Sequence, residues 1–201
     1  MLVMRAEGLR ERGKARKREA IVSAAHELFA ERGYDAATIT DISEKAGVSR
    51  RTVTLYFPTK LSIALAHLDA VEERIFSAVR EREPGWSVID ALEHWLNEER
   101  SHQDELDALT DRMLTLNPQL QAPHQARVAE IVENGARHLA EEMGVPPDAR
   151  DARLAAAAAA ALVSSLGPAP GREDIAAAMT FLRAGISAVS GPDNGAVRAD
   201  S

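Results

Sequence analysis

The segment from Ser49 to Lys60 combines basic and hydroxyl side chains at a spacing that suits contact with a nucleic-acid duplex. It contains Arg50 and Arg51, and a guanidinium group can donate two parallel hydrogen bonds to O6 and N7 of guanine. Hydroxyl and ammonium groups, such as those of Tyr56 and Lys60, commonly bind phosphate oxygens and set the register of a protein on DNA. The alternative interpretation of the two arginines is a solvated helix face; we favour contact with DNA.

A short helix over Ile39–Ala46 is predicted just before this segment. Thr38 is a good N-cap, and Asp41 stands three residues further on, where a carboxylate can accept the N-cap N–H. Gly47 follows the helix and suits a tight turn, because glycine adopts backbone conformations that other residues avoid. A longer helix, from about Lys14 to Arg32, precedes both and shows apolar residues at helical spacing.

A second short helix, Arg50–Tyr56, begins at this turn and completes a predicted helix-turn-helix arrangement. Ser49 can cap it, and Val53 and Phe57 can pack inward against the preceding helices. The polar residues then face outward, where a groove of DNA can receive them. The residues that we expect to contact DNA are polar residues of both helix starts and of this outer face: Thr38, Thr40, Ser49, Arg50, Arg51, Thr52, Thr54, Tyr56 and Lys60.

The charge distribution indicates a basic module on an acidic body. The chain has 201 residues and a net charge of −7, which alone argues against nucleic-acid binding. Residues 1–60 nevertheless contain 12 basic and 8 acidic residues, whereas the rest of the chain contains 12 basic and 23 acidic ones. Every lysine lies at or before Lys60. This asymmetry suggests an anion-facing N-terminal module, with a solvated basic tail as the alternative.

Helical periodicity continues along the chain, and no window alternates as a strand, so the predicted fold class is all-α. The helices predicted after the helix-turn-helix cover approximately residues 60–82, 87–96, 106–116, 121–143, 148–165 and 172–190. We divide the chain into a flexible basic arm at 1–13, a DNA-binding domain at 14–60 and a helical domain at 61–190. The helix-turn-helix lies at about 38–57, and a flexible tail follows at 191–201.

The composition excludes several kinds of site. The absence of cysteine excludes disulfides, thiolate zinc sites, iron–sulfur clusters and thiol nucleophiles. No phosphate-binding, dinucleotide-binding or nucleophile motif is present, so we expect no enzyme activity, no cofactor and no metal. No segment resembles a signal peptide or a membrane helix, so we expect a cytoplasmic protein. The histidines lack metal-site spacing: His26, His67, His94, His102, His124 and His138.

The stretch from Arg18 to Lys60 resembles the DNA-binding domain of TetR-type transcriptional repressors. The matching pieces, in the family's order and spacing, are Ala25-x-x-Leu28-Phe29, Gly33-Tyr34, Thr38-Ile39-x-Asp41-Ile42, Ala46-Gly47-Val48-Ser49 and Thr52-Val53-x-x-Tyr56-Phe57-Pro58-x-Lys60. Arg51 departs from the glycine that the family often has and adds a second guanidinium. Thr54 replaces a tyrosine that usually binds phosphate, and its shorter side chain would reach phosphate through water.

Downstream pieces are similar to a TetR-type subgroup with an acyl-CoA-like ligand-binding domain, related to mycofactocin regulators. They are Arg112-Met113-Leu114 before Asn117-Pro118-x-Leu120, and Gly144-Val145-Pro146-Pro147. The resemblance implies a pocket for a small apolar or acyl-type effector between helices of the second domain. The candidate lining residues, for which ordinary core packing is the alternative, are Trp86, His94, Trp95, Arg112, Met113 and Leu116.

The last two predicted helices are the candidate dimer interface. Residues 155–161 are all alanine, which gives a smooth helix that another backbone can approach closely. In TetR-type proteins the corresponding helices form a four-helix dimer interface, so the resemblance implies the same here, with internal packing as the alternative. The apolar residues assigned to this interface are Leu154, Leu162, Ile175, Met179, Leu182 and Ile186.

These patterns predict a sequence-specific regulator of transcription, most simply a ligand-responsive repressor that binds a palindromic operator as a dimer. The basic residues between Arg10 and Arg18 would add phosphate or minor-groove contacts. The long helix from Lys60 would act as a rigid lever between effector and DNA. The alternative is a helical-bundle carrier or enzyme without DNA binding, and the basic face centred on Arg50, Arg51 and Lys60 favours the regulator.

Overall fold

The computed structural model describes residues 2–99, 105–167 and 170–190, and within these ranges it consists of helices and contains no strand. The predicted all-α class is therefore confirmed. Within the same ranges, no helix is long and apolar enough to cross a membrane. The helices are α1 (Leu2–Arg32), α2 (Ile39–Lys45), α3 (Arg50–Tyr56), α4 (Lys60–Ala64), α5 (Ala66–Arg80), α6 (Val88–Glu99), α7 (Glu105–Leu116), α8 (Gln121–Met143), α9 (Arg150–Ser165) and α10 (Arg172–Ser190), with a 3-10 turn (Pro118–Leu120) before α8.

The first helix begins at Leu2, where the sequence analysis expected a flexible arm over residues 1–13. Most residues of this stretch are Leu, Met, Ala, Arg or Glu, all of which favour helices. Gly8 and Gly13 each cost about 1 kcal/mol in a helix interior, and neither ends α1. The helix ends at Arg32 as predicted, because Gly33 adopts a positive φ of 86°.

The chain forms two compact units, and the first combines Met1–Ala70 with Asp104–Gln125. Its core is apolar and joins α1 to α4 with α7 and the 3-10 turn: Ile21, Val22, Ala25, Leu28, Phe29, Ala37, Ile42, Val53, Phe57, Ile63, Ala64, Ala66, Met113 and Leu120. The predicted boundary at residue 60 therefore differs from the structure, which places α4 and α7 in the same unit as the helix-turn-helix. Periodicity could not show this, because α7 is distant in sequence from α1.

The predicted long helix over residues 60–82 is two helices, α4 and α5, separated at Leu65. Leu65 has φ −94° and ψ 0°, whereas a regular α-helix has ψ near −42°. Its N–H is shared between the carbonyls of Leu61 and Ile63, which tightens the turn at this point. The expectation of one continuous rigid lever from Lys60 is therefore wrong.

Most other helix boundaries agree closely with the predictions. The structure ends α2 at Lys45, with Ala46 as its C-cap, and begins α9 at Arg150, two residues later than expected. Asn117 and Pro118 interrupt the helical path between α7 and α8, as predicted. The predicted flexible tail at 191–201 lies outside the described residues.

The second unit combines Val71–Gln103 with Ala126–Ser201. Its core is formed by apolar faces of α5, α6, α8, α9 and α10, and includes Val79, Ile89, Leu92, Leu139 and Ile175. Arg183 of α10 adds a polar link, because its guanidinium donates to Asp90 at 2.6 Å and to Glu93 at 2.5 Å on α6. These contacts hold α10 against α6 within this unit.

Candidate nucleic-acid interface

The helix-turn-helix is fixed by local caps that the sequence predicts. Thr38 Oγ1 accepts the Asp41 N–H at 3.1 Å, and Asp41 Oδ2 accepts the Thr38 N–H at 2.8 Å, a complete capping box. The Thr38 hydroxyl also donates to Asp41 Oδ2 at 2.6 Å, and this hydrogen bond, followed by the one from the Thr38 N–H, lowers the pKa of Asp41. At the start of α3, Ser49 Oγ accepts the Thr52 N–H at 3.0 Å. Gly47, with φ +65°, makes the turn between the two helices.

One side of α3 packs into unit 1 and the opposite side faces solvent. Val53 is fully buried, and Phe57 packs in the same core. Because a helix has 3.6 residues per turn, positions 51 and 55 lie opposite Val53. Arg50 and Arg51 are exposed, and in the described part of the chain neither guanidinium has a hydrogen bond or ion pair. Both arginines are therefore available to an anionic partner, as predicted from the sequence.

Leu55 shares this outer face, and the sequence analysis did not include it. Its side chain is 82% exposed, the highest fraction among the large apolar residues that the structure describes. It stands four residues after Arg51, so the two lie together on the face opposite Val53. The signal was present in the sequence, since a leucine two residues from an inward valine on a short helix must point outward.

Some of the remaining residues predicted to contact DNA form helix caps, and others are exposed to solvent. Ser49 Oγ and Thr52 Oγ1 lie 2.8 Å apart and share a hydrogen bond next to the cap. The Thr54 hydroxyl donates to the Arg51 carbonyl at 3.1 Å, so its proton is not aimed at solvent. Tyr56 and Thr40 are partly exposed, and Thr38 is exposed apart from its cap. A phosphate contact by these residues stays a prediction.

Lys60 is placed in a structural position and not on the outer face. Its Nζ donates to the carbonyls of Tyr34 at 2.6 Å, Ala37 at 3.0 Å and Asp35 at 3.3 Å. It also lies 4.4 Å from the centre of the Tyr34 ring. An ammonium group has three donors, and all three are used here. We therefore withdraw the prediction that Lys60 binds phosphate, because its role is to hold the loop before α2.

The basic residues near the N-terminus lie along α1. Arg12, Arg16 and Lys17 are exposed, as expected for contacts with an anion. Arg18 differs, since its guanidinium lies 5.3 Å from the centre of the Phe57 ring and 3.5 Å from the Ala66 carbonyl. Arg18 therefore packs within unit 1. The Arg10 side chain lies outside the described residues.

Asn117 is a structural residue that the sequence analysis treated as a simple helix break. It is buried, and its Nδ2 donates to the carbonyls of Phe29 at 2.9 Å and Met113 at 2.8 Å. Its Oδ1 accepts the Tyr34 N–H. The side chain thus joins the end of α7 to the end of α1 and to the loop before α2. No local sequence signal identifies these partners.

The residues predicted to line a ligand pocket fall into different units. Arg112, Met113 and Leu116 belong to unit 1, where Met113 is fully buried in the core and the other two are exposed. Trp86, His94 and Trp95 belong to unit 2. Trp95 is buried, and its Nε1 has no hydrogen-bond partner among the described residues.

A groove of about 750 Å³ in unit 2 contains two of these predicted residues, Trp86 and His94. Their rings meet edge to face, with centroids 5.1 Å apart. The rest of the lining is polar and mostly acidic: Asp90, Glu93, Asn97, Glu98 and Arg172. Hydrogen bonds from the Ser87 N–H and hydroxyl, and then from Arg183, lower the pKa of Asp90. The groove therefore combines an aromatic pair with carboxylates, of which Asp90 and Glu93 are ion-paired with Arg183.

Half of the predicted dimer residues are in the core of unit 2. Ile175, Met179 and Leu182 are buried there, because they form the side of α10 that faces its neighbours, so they are not available to a partner. Leu162 and Ile186 are partly buried against the same core. Leu154 is 52% exposed.

Each of the last two helices instead carries a solvent-facing row of apolar residues at helical spacing. We call these residues the outer rows, and they include Phe181, which the sequence analysis missed and which is 68% exposed. The outer rows are Leu154, Ala157 and Ala161 on α9, and Ala177, Phe181, Ala184 and Ala188 on α10.

Within the described ranges, no group of three histidine or carboxylate side chains is placed to hold a metal ion. His26, the most buried histidine, is instead hydrogen-bonded within unit 1. Its Nδ1 lies 3.1 Å from the Thr110 hydroxyl and its Nε2 lies 3.2 Å from the Ile63 carbonyl. Burial lowers its pKa to about 4, so the ring is neutral near pH 7.

The geometry of the helix-turn-helix agrees with comparisons to known proteins. The model of the family described as bacterial regulatory proteins, tetR family, matches residues 21–66. The transcriptional regulator TcmR of Streptomyces glaucescens is 29% identical over 150 residues, covering 70% of this chain and 66% of TcmR. The transcriptional repressor BepR of Brucella suis is 34% identical over 96 residues, covering 43% of this chain and 46% of BepR. The chain thus spans less than two thirds of the length of these curated relatives.

The solved structures agree on the fold of most of the chain. NalD of Pseudomonas aeruginosa, described as the secondary repressor of the MexAB-OprM multidrug efflux pump, superposes with a TM-score of 0.55. The match covers 86% of this chain and 97% of NalD at 20% sequence identity, so it shows the fold alone. The family model accounts for the α1–α4 region that carries the exposed arginines, and the structural match extends the shared fold to the remaining helices. Residues 21–66 therefore match the tetR family of bacterial regulatory proteins, and the remaining helices share only the fold of the solved structures.

Proposed function

We propose that the protein is a transcriptional repressor that binds a palindromic operator through α3 and releases it when a small molecule binds. The observation that carries the proposal is the exposed surface of α3, where Arg51 lies on the outer face and Arg50 on its flank, both without an internal ion pair among the described residues. Val53 anchors the other side of the helix in the core. Such a helix can enter the major groove without unfolding. Binding to chromosomal DNA would place the protein in the cytoplasm.

A helical carrier or enzyme without DNA binding is the competing function. A carrier gains nothing from two adjacent unpaired guanidinium groups on a capped helix at the protein surface. The relatives TcmR and BepR are named as regulators of transcription, which supports the same choice. We therefore propose no catalytic role for any residue of this chain.

Dimerisation is part of the proposal, because a palindromic site requires a two-fold protein. The outer rows of α9 and α10 provide the contact. They contain Leu154 and Phe181, which are exposed in the single chain, and small alanine side chains between them that allow helices to approach closely. Pairing α9 and α10 with the same helices of a second copy would bury these side chains in a four-helix interface.

The groove beside Trp86 is the proposed effector site in unit 2. The aromatic pair offers an apolar wall, and the charged lining consists of Glu98, Arg172 and the carboxylates of Asp90 and Glu93, which are ion-paired with Arg183. A ligand with an aromatic or aliphatic body matches this lining. An acyl-type effector remains a prediction with no support from this groove.

Effector and operator binding must be linked reciprocally. A ligand shifts DNA affinity only by its preference for one conformation, and the operator must then weaken ligand binding by the same factor. A ligand that bound the groove tightly and left the operator affinity unchanged would show that the groove does not regulate DNA binding.

The function is tested by selecting duplexes from a random pool with the full chain and measuring affinity for the enriched sequence. We expect a two-fold symmetric sequence, and Arg51→Ala should lower affinity for it by roughly 5- to 150-fold, equivalent to about 1–3 kcal/mol. Arg137→Ala, which removes an exposed arginine of α8, is the matched control and should change little. The proposal would be contradicted if no sequence were enriched and if the wild type and Arg51→Ala retained random DNA equally.

A further inference from the structure

We propose that Leu55 is a specificity-determining residue that contacts the C5-methyl group of a thymine in each half of the operator. The inference rests on the proposed function, because it requires α3 to lie in the major groove. Thymine is the base whose methyl group projects into that groove, and apolar side chains recognise it by direct contact. The assignment adds an apolar contact to the polar set expected from the sequence.

The position of Leu55 separates it from an ordinary surface leucine. Single exposed leucines are common on protein surfaces and need no explanation by themselves. Leu55, however, is 82% exposed on the face of α3 directly opposite the buried Val53. In the proposed docking of α3, this outward face is the one turned toward the floor of the groove. A polar residue at this position would not lower the stability of the isolated protein. We therefore infer that the leucine contacts a binding partner.

The charges around Leu55 identify the kind of partner. Arg51 is exposed beside it on the same face, and Arg50 is exposed on the flank of the same short helix. A second copy of the chain that docked on this face by two-fold symmetry would bring like guanidinium groups together, which is unfavourable. The major groove of DNA offers negative potential together with methyl groups, and so matches both the arginines and the leucine.

The spacing of Arg51 and Leu55 predicts how their bases are arranged. A recognition helix that lies along the major groove contacts successive bases about every three to four residues, so the two contacts lie roughly one base pair apart. If Arg51 contacts guanine, each half-site should contain a guanine and a thymine at about this separation. The pairing is a feature of this chain, since it depends on Arg51 and Leu55 together.

The test replaces thymine by uracil, which removes the methyl group and leaves the base-pairing atoms unchanged. The enriched operator is synthesised with uracil at each thymine in turn, and affinity for the full-length protein is measured. At one symmetric position we expect about a fourfold loss per half-site, which corresponds to about 0.8 kcal/mol for one buried methyl group. Uracil at the other positions should have little effect.

Two variants of Leu55 test whether this residue causes the loss of affinity for the uracil operator. Leu55→Ala should bind the thymine operator more weakly and no longer distinguish thymine from uracil, whereas Leu55→Met should keep the distinction. Arg51→Ala should lose guanine discrimination and still respond to uracil. If Leu55→Ala remained as sensitive to uracil as the wild type, or lost specific and random DNA equally, the proposal would be overturned while the helix-turn-helix function stood.

Two other outcomes concern the assumptions of the proposal. If no duplex is preferred by the wild type, both the operator function and the role of Leu55 are refuted. If Leu55→Ala reduces self-association of the protein in the absence of DNA, the side chain contacts a second copy of the chain, and the thymine contact is refuted. Light scattering of both proteins at equal concentration supplies this measurement.

Discussion

The Oδ1 atom of Asn117 accepts the backbone N–H of Tyr34 at 2.5 Å, across 83 residues of sequence. The same amide donates to two carbonyls, so Asn117 satisfies backbone groups at the ends of both α1 and α7. Buried backbone groups that lose their partners are costly, because the protein interior offers no water to replace them. Asn117 therefore holds the loop from which α2 begins.

Asn117→Ala should destabilise the protein and weaken its binding to DNA. The free energy of unfolding should fall by about 2–4 kcal/mol, since the substitution leaves one N–H and two carbonyls without a side-chain partner. Urea denaturation measures the change. Gln119→Ala is the control, because Gln119 is exposed and makes one hydrogen bond, to Asp35. An equal effect of the two substitutions would argue against the role of Asn117.

Lys60→Ala should lower stability without changing the salt dependence of DNA binding. We expect a loss of about 1–3 kcal/mol of unfolding free energy, because the ammonium group holds three carbonyls of the loop before α2. If Lys60 bound phosphate, its removal would instead reduce the slope of log affinity against log salt by about one. Lys17→Ala provides the comparison, since Lys17 is exposed on α1. A reduced slope with unchanged stability would restore Lys60 as a phosphate contact.

His26 should make the protein less stable as the pH falls below neutrality. Its pKa is about 4 in the folded state against 6.5 normally, so the unfolded chain takes up the proton first. Above pH 6.5 the residue is neutral in both states and contributes nothing to the pH dependence. Between pH 6.5 and pH 4 the unfolding free energy should fall, by about 3 kcal/mol in total from this group.

Denaturation at pH 7 and pH 5 tests the contribution of His26. The difference between the two pH values should be smaller by about 2 kcal/mol in His26→Gln than in the wild type. His94→Gln removes an exposed histidine and serves as the comparison. The neighbouring His67 pairs with Asp107 at 2.9 Å and is retained in both variants. Parallel pH profiles for wild type and His26→Gln would refute the assignment.

Phe181→Glu and Leu182→Glu should have opposite consequences although the residues are adjacent. Phe181 is exposed on an outer row, so a charge there should weaken the dimer by about 2–4 kcal/mol and leave the monomer folded. Leu182 is buried in unit 2, so a charge there should unfold that unit. Sedimentation gives the mass and circular dichroism the helix content. A dimeric Phe181→Glu protein would place the interface elsewhere.

Local interactions explain which parts of the site were predictable from sequence. The caps at Thr38 and Ser49 use partners three residues away, so their spacing is visible in the sequence. The inward position of Val53 and the exposure of Arg51 follow from one helical turn in the same way. The residues from Thr38 to Tyr56 therefore take up nearly the predicted helices, and the exposed arginines lie where they were expected.

Long-range contacts explain the failures. Lys60 has the position and charge of a phosphate ligand, but its acceptors lie 23 to 26 residues earlier and become neighbours only after folding. The partners of Asn117 at Phe29 and Tyr34 are still more distant in sequence. On α10 both sides of the helix are apolar, so periodicity could not separate the inward Leu182 from the outward Phe181. Each distinction depends on which surface a neighbouring helix covers.

The separation of inward and outward residues on α10 has a consequence for cells that contain several related regulators. Subunits of similar fold can exchange, and a mixed dimer would recognise a hybrid site that neither gene requires. Here Phe181 and the alanines around it can change without disturbing Leu182 or the core. Under the proposed pairing of the outer rows, partner choice can therefore diverge after gene duplication while the fold is preserved, so that two copies of the gene encode subunits that no longer mix.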